Sequence, residues 1–491
     1  MACMMSPQRI SGRALAQLLP DLPVLPGPLY VALARSIAAL ILDARVALET
    51  QLPSERALAE SLAISRSSVT AAYDHLRRDG YVTSRIGAGS FAALPDRHGA
   101  GPTMHRAPAD GDQRTRREQD DLDLTSASLS AAPGVIEQAL QYAGEAFPAL
   151  QHTMGYHPAG LPALRQAVAR RFDQRGLPTD PDQIMITSGA LAGFDLLLRV
   201  LLAPGDRVLT ELPTYLGALD AVRGHGGRLT PVPLPSPRDS SPGWDVEAMT
   251  QALRHSSPRL AYLIPDFHNP TGRLVPLEQR ARVLRTARLS GTTVIVDESC
   301  IELGFVPTEG PTAQLDSAVI TIGSLTKVVW GGIRVGWIRA SRDLVQRLGA
   351  ARASIDLSSS VLDQLVGVHV LDRIDTLAAD RLAQLGPQRD ALLAALHQRL
   401  PQWHVRTPQG GLSAWVQLDA PLATPLSALA AQLGVHIVSG SRFGTGNTLE
   451  RFVRLPFALP APALADAVAR LGEAWSLLRD DRRSQAPMIV G

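Results

Sequence analysis

The chain has 491 residues, 45% of them hydrophobic, and its 48 basic against 46 acidic side chains leave a formal net charge of +2. That length exceeds one ordinary core and implies roughly two or three domains, while near-neutrality means that any nucleic-acid contact must come from local placement of arginines. Two cysteines, Cys3 and Cys300, are too few for a disulfide framework or a cysteine-based zinc site, so no metal is expected; no apolar run reaches membrane-spanning length and the start lacks a basic region followed by an apolar core, so the chain reads as soluble and cytoplasmic.

In chain order, the first expected domain covers residues 1–94. Val31, Ala34, Ile37, Ala38 and Ile41 recur at helical spacing. A helix over Pro53–Leu62 meets another over Ser65–Leu76 at a tight Ala63-Ile64 turn. Val69, Tyr73 and Leu76 are spaced to pack inward, which leaves Arg66, Ser67, Ser68 and Thr70 near the exposed first turn of the second helix, with Ser65 as N-cap. After Gly80, Tyr81 to Phe91 reads as two short strands around a glycine-containing turn. By periodicity alone, an ordinary helical hairpin fits the two helices as well as a DNA reader does. Residues 95–121, rich in Gly, Pro, Asp and Arg, read as a flexible linker.

From Leu122 to about residue 480, apolar strand-like runs alternate with longer helical patterns, which predicts an α/β domain with a mainly parallel sheet. Its last part, about 382–478, reads as a smaller α+β subdomain with strands at Ala414–Leu418 and Phe452–Leu455. The tail 481–491 is expected to be disordered.

Lys327 is the chain's one lysine; every other basic residue among the 48 is arginine. A guanidinium stays protonated and cannot condense with an aldehyde, so only Lys327 can form a Schiff base. Five predicted strands each end beside a residue that pyridoxal phosphate needs, and in an open parallel sheet those ends share one edge. Ile184–Thr187 runs into Ser188-Gly189-Ala190 and a helix start, where free amides suit a phosphate. Arg207–Thr210 leads to Tyr215, whose ring can stack on the pyridine. Leu260–Ile264 leads to Asn269-Pro270-Thr271-Gly272, with an amide for the ring oxygen. Thr293–Val296 delivers Asp297, whose carboxylate can keep the ring nitrogen protonated. Ala318–Ile322 delivers Ser324 and Lys327. Taken singly, each also fits a turn, a cap or a packing role.

The run Pro-Ser-x-Arg-x-Leu-Ala, Ser-Arg-x-x-Val, Ala-Tyr and Gly-Tyr before a Gly-x-Gly turn resembles the GntR-type winged helix-turn-helix over some sixty residues. That resemblance implies that Arg56, Ser65, Arg66, Ser67, Ser68, Thr70 and Gly87 lie at the duplex, with Arg66 reading a base edge and Arg56 and Arg85 clamping phosphates. From Tyr156-His157-Pro158-Ala159-Gly160 onward, the order and spacing resemble the fold type I aminotransferases. This implies pyridoxal 5'-phosphate as cofactor on Lys327, Ser324 and Arg334 at its phosphate, Tyr156 reaching the partner subunit's phosphate, and Arg454 receiving a carboxylate.

Together the halves resemble the MocR/GabR group of bacterial regulators. The resemblance implies a head-to-tail homodimer on a double-stranded DNA operator, responding to pyridoxal phosphate or its adduct with an amine or amino acid. Two departures stand out. Where such domains carry a tyrosine soon after the aspartate, this chain has Ser299 and Cys300, and Gly217 stands where GABA-responsive members carry an arginine. The missing tyrosine leads to the expectation that the chain is a regulator and not an enzyme, with at most a residual half-reaction.

Overall fold

The structure is a computed structural model that describes residues 9–19, 28–42, 45–85, 89–93, 121–239, 241–445 and 448–483. Nearly all of the expected linker and residues 484–491 of the expected tail lie outside these. The chain forms two compact units: Met1–Ser126 with Ala391–His404 and Val416–Gly491, and Ala127–Asp390 with Val405–Trp415.

The elements of the N-terminal region are α1 (Gly12–Leu18), α2 (Leu29–Leu42), α3 (Glu55–Leu62), α4 (Arg66–Arg78), β1 (Val82–Arg85) and β2 (Gly89–Ala92), followed by the short β3 (Leu122–Asp123). Then come α5 (Val135–Ala146), α6 (Pro162–Gln174), β4 (Ile184–Thr187), α7 (Ala190–Leu201), β5 (Arg207–Leu212), α8 (Leu216–Gly224), β6 (Arg228–Pro233), α9 (Val246–Ser256), β7 (Leu260–Leu263), α10 (Leu277–Leu289), β8 (Thr293–Asp297), β9 (Ile320–Ser324) and β10 (Gly336–Arg339). The remainder comprises α11 (Arg342–Arg352), α12 (Val361–Leu371), α13 (Ile374–Arg399), β11 (His404–Val405), β12 (Ser413–Gln417), α14 (Ala423–Gln432), β13 (Val435–His436), β14 (Val438–Ser439), β15 (Phe452–Pro456) and α15 (Ala461–Arg483). The last helix thus reaches three residues into the stretch expected to be disordered.

In the first unit, α1 to α4 and the antiparallel β1–β2 hairpin form a winged helix-turn-helix. Ile37 and Ile41 of α2 and Val69, Tyr73 and Leu76 of α4 are buried, as their spacing requires. The Tyr73 hydroxyl donates to the Pro53 carbonyl (2.9 Å), so this aromatic is satisfied as well as packed. Ala63 closes α3 in the left-handed conformation (φ 53°), which makes the turn into α4 tight. The α1 helix, absent from the sequence reading, starts at the Ser11 cap and lies against α3, where Gly12 is required: an added Cβ would come within 2.6 Å of the Ala57 carbonyl oxygen. In the same unit α2 packs on α14, and β3 pairs in parallel with β13.

The second unit is built on a seven-stranded sheet in the order β4-β10-β9-β8-β7-β5-β6. β5 to β9 are mutually parallel, and β10 runs antiparallel to both of its neighbours, β9 and β4. β4 is therefore parallel to the rest, and the five predicted strands end on one edge. Their residues are buried almost throughout, the signature of a sheet covered on both faces. The core gathers Met185, Phe194, Tyr262, Ile295 and Ile322 with α7, and Val345 and Leu348 of α11. A second sheet has the strand order β11-β12-β15-β14. Among the described residues no helix is long and apolar enough to cross a membrane.

Candidate cofactor site and nucleic-acid interface

The turn after β9 carries Lys327. Ser324 shapes this turn: its hydroxyl donates to Thr326 Oγ1 (2.8 Å) or the Val335 carbonyl (3.1 Å) and accepts from the Thr326 amide (3.1 Å). Lys327 is half-buried and its Nζ donates to the Ala127 carbonyl at 2.9 Å. It lines a small pocket with Ala127, Asn269, Cys300 and the 410–413 loop. Asn269 Oδ1 is buried there without a hydrogen-bond partner. Beside it, His268 is held with Nδ1 2.9 Å from Thr271 Oγ1 and Nε2 3.4 Å from the fully buried Glu211.

Asp297 ends β8 as a buried carboxylate. It accepts from the Tyr262 hydroxyl (2.6 Å) and the Ser299 amide (2.8 Å). Burial, and then the negative Asp297, push the Tyr262 phenol well above its ordinary pKa, so it remains a donor. Cys300 is also buried; desolvation pushes its thiol up to about 11, with Asp297 adding to the rise and Lys327 opposing it.

At the N-terminus of α7, Gly189 (φ 95°) takes a backbone conformation that side chains rarely adopt, and a Cβ there would lie 2.7 Å from Arg334 Nη2. Arg334 donates to the Ser188 carbonyl (2.8 Å), so Ser188, Gly189, Ala190 and Arg334 form one cradle of backbone amides and a guanidinium. Tyr215 precedes α8 with its ring against Gly217, where any Cβ would fall 2.8 Å from ring atoms. An arginine at 217 would displace this ring, which gives the departure there a physical reason. Tyr156 is 63% exposed. Arg454, in the first unit, is buried on β15; it donates to the Thr125 carbonyl and its guanidinium lies 4.9 Å from the Phe443 ring centre.

On the reader, Ser65 caps α4 by accepting from the Ser68 amide (3.1 Å), and its hydroxyl also lies 2.9 Å from that of Ser67. The Arg66 side chain is 72% exposed, 3.8 Å from Glu55. Arg56 is exposed and bonded to Glu60 (2.9 Å). Thr70 is half-buried and donates to Glu55 (2.8 Å), which places it behind the helix front that Arg66 and Ser67 present. Arg85 ends β1, with its side chain outside the described set, and Gly87 lies outside the described residues. Sequence reasoning missed Tyr262, His268 and the Ala127 carbonyl: each sits in an apolar or loop stretch with no local mark of its partner. Among the described residues no cluster of three metal-ligating side chains occurs.

The fold and this constellation define a class: an aminotransferase-like α/β domain joined to a winged-helix reader. Residues 123–471 match the pattern of the family described as aminotransferase class I and II, and residues 29–91 that of the bacterial regulatory proteins of the gntR family. The 2-aminoadipate transaminase of Thermus thermophilus is 33% identical over 69% of this chain and 82% of its own. The probable rhizopine catabolism regulatory protein MocR of Rhizobium meliloti is 31% identical over 63% of this chain and 65% of its own. The crystal structure of LysN, an alpha-aminoadipate aminotransferase from Thermus thermophilus complexed with N-(5'-phosphopyridoxyl)-L-leucine, superposes with a TM-score of 0.66 at 30% identity, covering 74% of this chain and 94% of its own. The chain belongs to the class I and II aminotransferase family, in the GntR-fused arrangement of the MocR/GabR-type regulators.

These comparisons correct one expectation. The domain was expected to be non-enzymatic because a tyrosine is missing at 299–300, yet proteins that it resembles over this length are aminotransferases. The physical reason lies in the inventory: replacing that tyrosine by Cys300 removes one hydrogen-bond donor and leaves the amine and the buried carboxylate in place.

Proposed function

We propose that this chain is a transcription regulator that binds double-stranded operator DNA through its reader and holds pyridoxal 5'-phosphate on Lys327, sensing the cofactor or its adduct with an amine or amino acid. The observation that carries this reading is the pocket that unites the chain's one lysine with Asn269. The residues fit the cofactor. Asn269 has an unpartnered buried amide atom, which can be oxygen or nitrogen by a flip of the group. The Gly189–Arg334 cradle suits a phosphate, and Tyr215 supplies an aromatic face.

When bound, the cofactor supplies an electron sink for chemistry at the carbon bearing an amino group. The protein's part is to hold charge and protons. Lys327 gives the amine for attachment and can carry a proton at Nζ. Asp297, which accepts from the Tyr262 hydroxyl and the Ser299 amide, suits a proton held on the ring nitrogen. Ser324 keeps the lysine turn in shape, Arg334 with the Ser188-Gly189-Ala190 amides takes the phosphate, and Arg454 takes an incoming carboxylate. Arg66 and Ser67 meet base edges, Arg56 and Arg85 phosphates. We also assign a head-to-tail homodimer, to which the exposed Tyr156 is available, and a cytoplasmic location, where operator DNA lies.

Purified protein is expected to show the visible absorbance of a lysine-bound cofactor, and Lys327→Ala to lose it. Equal absorbance in both would remove Lys327 from this role. A second reading, sustained amino-group transfer, is favoured by the likeness to the 2-aminoadipate transaminase. Keto-acid production followed over many turnovers with 2-aminoadipate and leucine as donors separates the two.

A further inference from the structure

One side chain holds both the lysine turn and the segment that receives its amine. It is Arg381 of α13, only 5% exposed. Its Nε donates to the Val328 carbonyl (3.0 Å) and its Nη2 to the Val329 carbonyl (2.7 Å), in the residues that follow Lys327. The same Nη2 donates to the Ser130 carbonyl (2.6 Å), close along the chain to Ala127, whose carbonyl accepts from Lys327 Nζ. Nη1 completes the set on Gln384 Oε1 (3.2 Å). All of these residues belong to the second unit.

Residues 127–130 lie in no helix or strand and Lys327 lies in a turn, so no regular backbone ladder sets one against the other. A guanidinium is a planar fork of donors that can fix several acceptors at once, which suits it to this task. Its acceptors here are three backbone carbonyls and a side-chain amide, all neutral. A buried cation held only by neutral groups is costly, and an apolar side chain would fill the same place at less cost if packing were its whole task. Arg381 instead touches both ends of the Lys327–Ala127 contact.

We propose that Arg381 is a positioning residue for the Lys327 amine: by bridging the lysine turn to the Ala127–Ser130 segment, it sets Nζ against the Ala127 carbonyl. This rests on the attachment role given to Lys327 above and adds the residue that holds the amine ready. Arg381 does not itself line the pocket.

The test uses the full-length, cofactor-free protein and two reagents, acetic anhydride for Lys327 and iodoacetamide for Cys300. Fragment 289–334, bounded by arginines, carries both groups and is read by mass spectrometry. The limiting acetylation rate at high pH, where the amine has lost its proton, measures access to Nζ apart from any neighbouring charge. In Arg381→Met this rate should rise about tenfold, the order set by loss of a hydrogen bond, while Cys300 stays as slow to label at pH 8 as in wild type. Pyridoxal phosphate added to the same variant should bring up the visible absorbance about tenfold more slowly, because a displaced amine meets the aldehyde out of line. Arg381→Lys keeps a cation but lacks the fork, and its added amine falls outside that fragment. It should follow Arg381→Met in every readout, and is the working variant if Arg381→Met does not fold. A wild-type acetylation or attachment rate in either folded variant overturns the clamp. So does fast Cys300 labelling, which marks a general loosening of the site. A wild type that gains no absorbance sinks the cofactor reading instead, and the acetylation rates alone then decide the clamp.

Discussion

Asp297 is buried, and a buried polar group is costly unless hydrogen-bond donors replace the water it has lost. Tyr262 and the Ser299 amide do this, and the raised pKa of Tyr262 keeps its proton in place. Tyr262→Phe should therefore lower stability by about 1.5–3 kcal/mol, the range for a hydrogen bond to a charged group, as read from urea unfolding of the unloaded protein. Cys300 follows from the same burial. With its pKa raised to about 11, the thiol is protonated through the neutral range, and the reactive thiolate is roughly one part in a thousand at pH 8. In a Cys3→Ser background, iodoacetamide should label the native protein slowly at pH 8, faster as the pH rises toward 11, and much faster at pH 8 once denatured. Fast native labelling at neutral pH would mean that the thiol is not shielded. Both cysteines were visible in the sequence; the shielding came from Phe267 and Leu274, which pack against Cys300 from another stretch of chain.

At the scale of elements, α4 shows how local sequence signals become a surface. Ser65 caps it, Val69, Tyr73 and Leu76 bury one face, and Glu55 of α3 holds Thr70 and approaches Arg66 and Arg77. Ser65→Ala should cost roughly 1 kcal/mol in thermal unfolding of the reader through loss of the cap. Arg66→Ala should cost roughly 1–3 kcal/mol at the selected operator while leaving that unfolding unchanged. Equal affinity in Arg66→Ala would take this arginine out of base recognition. The helices and the wing of the reader were legible because each carries its own periodicity and cap. α1 was not, since its seven residues are too few for a clear period and it is held by contact with α3. In the large sheet β6 and β10 escaped for related reasons. β6 is an edge strand ending in proline, and β10 is four residues long and owes its place to the gap between β9 and β4.

For the whole molecule, the comparisons join two chemistries in one chain: a DNA reader of the gntR family and a domain of the class I and II aminotransferases. With the amine and the carboxylate retained, conversion of at least one amino donor by the loaded protein should be measurable as keto acid, and should vanish in Lys327→Ala. Donor conversion that persists in that variant would place the chemistry elsewhere. By itself the sequence determined that two kinds of domain are present, where the main strands lie and which lysine can react, because these depend on composition, periodicity and the identity of single residues. Tertiary structure decided the insertion of β10, the Tyr262 hydroxyl that donates to Asp297, the meeting of Lys327 with the Ala127 carbonyl, and the pairing of Arg45 with Glu450. Those partners are separated by tens to hundreds of positions along the chain, and only packing brings them within bonding distance.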